Sequence, residues 1–169
     1  LASHPSRAGL TREVNGNHVW NGTVRFNDQW LLQPLRWSKP RMIFVCAHGD
    51  PFHRDVPDEW ILRTFAVMIA APQHIYQVLT KRSDRMRKFM QWLCETEQGS
   101  DALIDAVEGI APETDLDFDL PAKHIWLGVS AENQTYWDGR VDDLRQTPAA
   151  VRWVSVEPML GPVYDKFEL

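Results

Sequence analysis

Four short apolar runs separated by amphipathic stretches constrain this chain more than any other feature of its sequence; the runs begin near residues 41, 74, 124 and 151. The stretches between them place apolar residues at helical spacing, as at Ile61, Phe65 and Met68. This alternation is typical of βα units, whose right-handed crossovers give a parallel sheet. The sequence therefore predicts an α/β fold, either a doubly wound open sheet or a partial TIM-like βα barrel.

The first part of the chain is less regular than the rest. Residues 1–40 contain two turn dipeptides, Asn15-Gly16 and Asn21-Gly22. We predict an irregular N-terminal segment here, with a small β-hairpin around the second dipeptide. Residues 41–169 are predicted to hold the βα repeats. A length of 169 residues is ordinary for a single domain, so we expect one domain in all.

Composition excludes several classes of protein. The net charge of −5 excludes a nucleic-acid binder that is basic over its whole surface, although a local basic patch is still allowed. The sequence contains neither a long apolar run nor a Gly-rich phosphate loop. The two cysteines, Cys46 and Cys94, are too few for a disulfide scaffold. We therefore expect a cytoplasmic protein with no membrane partner.

Polar and ionisable residues follow each predicted strand. In parallel α/β folds, ligands bind at the carboxyl ends of the strands. The residues at these positions, in chain order, are His48, Asp50, His53, Lys81, Arg82, Ser130, Glu132, Asn133 and Glu157. Because all four strand ends contribute, we predict that these residues converge on one site.

The chemistry of this predicted site has several interpretations. Cations are disfavoured at a helix start, so Lys81 and Arg82 are expected to face a bound anion or an ion-pair partner such as Glu132 or Glu157. Those two glutamates could also form a general acid/base pair. The grouping of His48, Asp50 and His53 has the composition of a metal site, which would indicate a metal-dependent barrel hydrolase. The predicted catalytic residues are Asp50, Lys81, Glu132 and Glu157.

The sequence also resembles a phage- and prophage-associated family of radical-SAM-like proteins of unknown function. The resemblance covers nearly the whole chain and includes QVLTKR at 77–82, IWLGVS at 125–130 and SVEP at 155–158. The other matching stretches are 9–16, 34–37, 40–45, 49–50, 52–53, 55–58 and 147–151.

This resemblance implies a partial TIM-like barrel, a 4Fe–4S cluster held by three cysteines, and S-adenosylmethionine bound across the strand ends. It implies that Asp50, Ser130, Glu132 and Asn133 bind the cofactor and that Glu157 lines the same side. It also implies that His53, Lys81 and Arg82 bind an unknown substrate, for which a nucleic acid is one candidate.

The resemblance places the three-cysteine loop just upstream of residue 1. Cys46 ends a predicted strand and Cys94 lies on a predicted helix, so neither can replace that loop. We therefore expect this chain to bind no cluster and to be an inactive fragment, whereas its full-length form cleaves S-adenosylmethionine. Two alternatives stay open: the metal-dependent hydrolase, and a non-catalytic binding or structural remnant that self-associates through open sheet edges.

Overall fold

A computed structural model of the chain describes residues 8–165. The strands are β1 Thr11–Val14, β2 Asn17–Trp20, β3 Met42–Val45, β4 Ile75–Thr80, β5 Ile125–Ser130 and β6 Val151–Ser155. The α-helices are α1 Asp28–Leu31, α2 Asp58–Ala70, α3 Ser83–Glu95, α4 Glu97–Ile110 and α5 Gln134–Arg145, and a 3-10 turn spans Pro34–Arg36. Within the described part of the chain, no helix is both long and apolar enough to cross a membrane.

Strands β3 to β6 form one parallel sheet, which confirms the α/β prediction. Their order in the sheet is β3-β4-β5-β6, the same as their order in the chain. A doubly wound sheet reverses this order at a switch point, and residues 8–165 contain no such reversal. The sheet is open, with β3 and β6 at its edges, so the described residues do not form a closed barrel.

The helices form a single layer on one face of this sheet. Along β4, Tyr76, Val78 and Thr80 are buried, whereas the residues between them are partly exposed. Helices α2 and α3 both contact α4, and α3 also contacts α5. The connections between parallel strands are right-handed, and these strands follow one another in the sheet in chain order. Each connecting helix therefore lies on the same side of the sheet. Among the residues that the structure describes, no helix therefore covers the opposite face of the sheet.

Aromatic side chains lie on this helix-free face. Phe44 and Trp153 meet edge to face with their ring centroids 6.3 Å apart. Gly128 on β5 pairs with Trp153 on β6. A Cβ at Gly128 would lie 2.5 Å from the Trp153 ring, so the indole occupies the space that a side chain would need. Glycine is therefore required there by close packing.

The N-terminal hairpin forms at a different turn from the one predicted. Strands β1 and β2 pair antiparallel on either side of Asn15-Gly16. Asn15 and Gly16 both have positive φ, 50° and 76°, as a two-residue hairpin turn requires. The second dipeptide instead closes the base of the hairpin: the Asn21 amide donates to Gly9 O at 2.9 Å and its side-chain oxygen accepts from Thr23 N at 2.9 Å. The prediction of a hairpin around Asn21-Gly22 is therefore wrong.

Candidate functional site

The carboxyl ends of the four parallel strands bring the predicted polar segments to one edge of the sheet. Strand β4 ends at Thr80, directly before Lys81 and Arg82, and β5 ends at Ser130, two residues before Glu132. Because the two strands pair in register through Thr80 and Val129, these segments lie side by side.

Asp50 connects the loop after β3 to the start of α3. Its Oδ1 accepts hydrogen bonds from Thr80 Oγ1 at 2.7 Å and Phe52 N at 2.9 Å. Its Oδ2 accepts from Lys81 N at 3.1 Å and Arg82 Nη1 at 2.8 Å. The Asp50 side chain is only 14% exposed, so this carboxylate has four protein donors in a largely dry environment. Asp50 is therefore the residue that holds the β3 loop against the β4 end.

Glu132 forms a second charged group beside the first. Its side chain is buried, and its two oxygens pair with Lys81 Nζ and, at 2.9 Å, with Arg140 Nη1. Arg140 also donates to Ser130 O at 2.7 Å and stacks on the Tyr136 ring with its Cζ 4.2 Å from the centroid. Arg140 is thus fixed from three sides and anchors Glu132 at the strand end.

Electrostatics keep Glu132 ionised. Burial alone would raise the pKa of its carboxyl, but the hydrogen bond from Lys81 and the positive charges of Lys81 and Arg140 lower that pKa below its ordinary value. A buried carboxylate with a lowered pKa carries a full negative charge at neutral pH.

The two groups together carry more positive than negative charge. Asp50 and Glu132 are the carboxylates, and Lys81, Arg82 and Arg140 are the cations. The ion-pair interpretation of Lys81 and Arg82 is confirmed: Glu132 faces the first and Asp50 the second. The group therefore contains one more cation than it contains carboxylates. We call these five residues the strand-end cluster.

The remaining predicted site residues lie around this cluster without joining it. Asn133 caps α5, because its side-chain oxygen accepts from Tyr136 N at 3.1 Å. Ser130 is buried at the end of β5 and contributes its carbonyl to Arg140. Glu157 is exposed after β6. Its pairing with Glu132 as general acid and base stays a prediction.

The histidines of the β3 loop do not gather around Asp50. The His53 ring accepts from Asp55 N at 3.3 Å, and its Nδ1 lies 3.6 Å from an Asp55 carboxylate oxygen. His48 is exposed. In the part of the chain described here, no three His, Cys, Asp or Glu side chains form a group that could hold a metal ion. The structure therefore does not assemble His48, Asp50 and His53 as metal ligands.

Sequence analysis missed Arg140 and Thr80. Both hold a predicted carboxylate, Arg140 through Glu132 and Thr80 through Asp50. Arg140 lies in the middle of α5, where an arginine with no neighbouring motif is indistinguishable from a surface cation. Thr80 directly follows the predicted strand at 74–79, and no sequence pattern there indicates which acceptor its hydroxyl meets.

The fold and the site define a class of α/β proteins that have an open parallel sheet and a charged cluster at the carboxyl ends of its strands. Within that class, the chain belongs to the family described as "Protein of unknown function (DUF5131)", whose family model matches residues 2–169. No curated protein and no solved structure matches the sequence.

Proposed function

We propose that the strand-end cluster binds the amino-acid end of S-adenosylmethionine, the cofactor that the resemblance to radical-SAM-like proteins implies. The observation that carries this proposal is the presence of both charge signs side by side on adjacent strand ends. An α-amino acid group carries a carboxylate and an ammonium on neighbouring atoms. A site with paired cations and carboxylates matches that pattern, whereas a site of one sign does not.

The exposure of the cluster residues suggests which of them a ligand meets. The Lys81 side chain is 47% exposed and that of Arg82 is 41% exposed, whereas Glu132 is 7% exposed. The ligand carboxylate would therefore bind at Lys81 and Arg82, and its ammonium would replace Lys81 at Glu132 Oε1, since both oxygens of Glu132 are already paired. Asp50 and Arg140 would act as positioning residues, since their hydrogen bonds fix Arg82 and Glu132. Ser130, Asn133 and Glu157 would line the rest of the cofactor side.

The described residues do not fit a 4Fe–4S cluster. Cys46 follows β3 and Cys94 lies on α3. Burial, with a smaller contribution from Glu95, raises the pKa of the Cys94 thiol to about 11. Iron binds the thiolate, which a raised pKa disfavours. We therefore assign ligand binding to these residues and derive no radical step through them.

The proposal also extends to the fold and the compartment. The unreversed strand order and the single helix layer support a sheet that is part of a βα barrel, since a barrel has all its helices on one side. Two free cysteines agree with a reducing cytoplasm.

Calorimetric titration tests the proposed function. We expect S-adenosylmethionine and methionine to bind the unmodified chain, and Lys81→Met to weaken both by about tenfold or more, because the ligand carboxylate loses its cation. Lys88→Met is the matched control: Lys88 lies on α3 with its side chain 69% exposed, and among the described residues its ion-pair partner is Asp84. Methioninol, which lacks the carboxylate, should bind weakly to every variant. Absence of binding, or equal losses in the two lysine variants, would contradict the proposal.

A second, non-catalytic function is favoured by the exposed edge of the sheet. Met42 and Phe44 on edge strand β3 are 59% and 43% exposed. An open apolar edge is a template for pairing with another chain. We propose that two copies of the chain associate through β3.

Sedimentation velocity tests this association. We expect the unmodified chain to dimerise with rising concentration and the double variant Met42→Ser, Phe44→Ser to stay monomeric. Val14→Ser, which changes a similarly exposed side chain on the hairpin, is the control. A monomer at every concentration would rule out the second function.

A further inference from the structure

A cavity of about 730 Å³ lies beside the strand-end cluster and is not explained by it. Its walls are the segment 20–27 and the loop 46–56 that follows β3, with the start of α2 at its back. Cavities of a few hundred Å³ are the usual size for one small ligand. Only Asp50 belongs both to these walls and to the strand-end cluster.

Three aromatic side chains line this cavity. Phe26 and Trp60 stack with their ring centroids 5.2 Å apart, and Arg63 covers Phe26 at 5.0 Å from its centroid. Those two rings are therefore fixed by the protein itself. Trp20 is different: it is 44% exposed on β2, and within residues 8–165 it has no ring partner. A planar ligand entering the cavity would find an indole face available for stacking.

Polar groups on the walls of the cavity could form hydrogen bonds with the edge of a heteroaromatic ring. Asn27 lines the cavity and precedes α1, yet its side chain makes no capping hydrogen bond and no other within the described residues. A carboxamide offers one acceptor and two donors close together, which is the arrangement that reads a nucleobase edge. At the rim, the Arg54 side chain is 87% exposed, and its one ion pair within residues 8–165 is with Asp55, at 3.7 Å. A guanidinium at this position suits an attached phosphate.

We propose that this cavity binds a nucleobase, stacked on Trp20 and hydrogen-bonded by Asn27, with Arg54 at the rim for a phosphate. The base could belong to a free nucleotide or to a single-stranded nucleic acid, since both present the same ring and phosphate. This inference stands on the cavity alone and does not require the proposed function.

Calorimetric titration of the unmodified chain with adenosine, cytidine, their monophosphates and a short single-stranded DNA tests the proposal. We expect Trp20→Ala to weaken binding by about tenfold or more, because base–aromatic stacking is lost. Trp20→Phe should restore most of the affinity. Val19→Ala, at the neighbouring exposed position of β2 outside the cavity, is the matched control. Arg54→Ala should weaken the phosphate-bearing ligands and leave the nucleosides unchanged.

The titrations distinguish a free nucleotide from a nucleic acid, and they distinguish this proposal from the proposed ligand binding at the strand-end cluster. Binding of monophosphates indicates a free nucleotide, and binding of the single strand alone indicates a nucleic acid. Lys81→Met should leave nucleoside binding unchanged, so a failure of the strand-end proposal is distinguishable from a failure of this one. The proposal is overturned by no binding of any base to the unmodified chain, or by equal affinities for Trp20→Ala and Val19→Ala.

Discussion

Replacing Gly99 by alanine is expected to destabilise the chain by about 3 kcal/mol, at the upper end of the range for overpacking. Helices α3 and α4 are separated only by Thr96, and α4 starts against the end of α3. A Cβ at Gly99 would lie 2.0 Å from the carbonyl oxygen of Trp92 and 2.8 Å from the Cα of Leu93. Backbone atoms cannot rotate away as a side chain can, so the two helices would have to separate.

Gly109→Ala is the matched control for this prediction. Gly109 lies near the end of the same helix, and a Cβ there would meet nothing within 4 Å. Alanine lowers the entropy of the unfolded chain and favours helix, so this variant should be more stable by about 0.5–1 kcal/mol. Urea unfolding followed by circular dichroism gives both free energies. Equal midpoints for the two variants would show that the close approach of α3 and α4 does not constrain the fold.

The Asp50→Ala variant is also expected to lose about 3 kcal/mol of stability. The change leaves the Thr80 hydroxyl, two backbone amides and the Arg82 guanidinium without their common acceptor. Several donors that lose their acceptor at a largely buried position account for a loss of this size, whereas Arg82, with its side chain 41% exposed, is rehydrated. Asp50→Asn keeps one acceptor oxygen and should show an intermediate loss.

Asp55→Ala provides the comparison, because Asp55 lies in the same loop with its side chain 52% exposed. Its ion pairs are at the surface, so we expect a loss below about 1 kcal/mol. The same urea unfolding measurement applies. If Asp50→Ala and Asp55→Ala were equally stable, the network around Asp50 would have no structural importance.

The parallel sheet and the residues at its carboxyl edge could be predicted because both follow from local patterns. A run such as HIYQVL at 74–79 is apolar enough to be a buried strand, and parallel strands place their following residues at one edge. Asp50, Lys81 and Glu132 therefore had to lie near one another. The partner of each cation was not determined by the pattern, because pairing depends on side-chain positions in three dimensions.

Other features could not be predicted, because the sequence offers alternative turns and alternative ion-pair partners without indicating which of them forms. Asn15-Gly16 and Asn21-Gly22 are equally good turn dipeptides in the sequence. The structure distinguishes them by the positive φ of both Asn15 and Gly16 and by the hydrogen bonds of the Asn21 side chain. Arg140 reaches Glu132 across a helix turn and a strand end, which no spacing rule indicates. The aromatic cavity joins Trp20 and Trp60 from distant segments, so its existence could not be inferred from either residue.

If the strand-end cluster has the proposed function, the pairing of Glu132 with both Lys81 and Arg140 has a consequence for ligand selectivity. A ligand with a single charge can replace only one member of an ion pair and leaves the other member without a partner. Such a ligand therefore binds weakly. A zwitterion can exchange both members at once and leave every charge compensated. Such a site would select ligands by the number and spacing of their charges more than by the magnitude of any one charge. Its bound ligands would also dissociate readily.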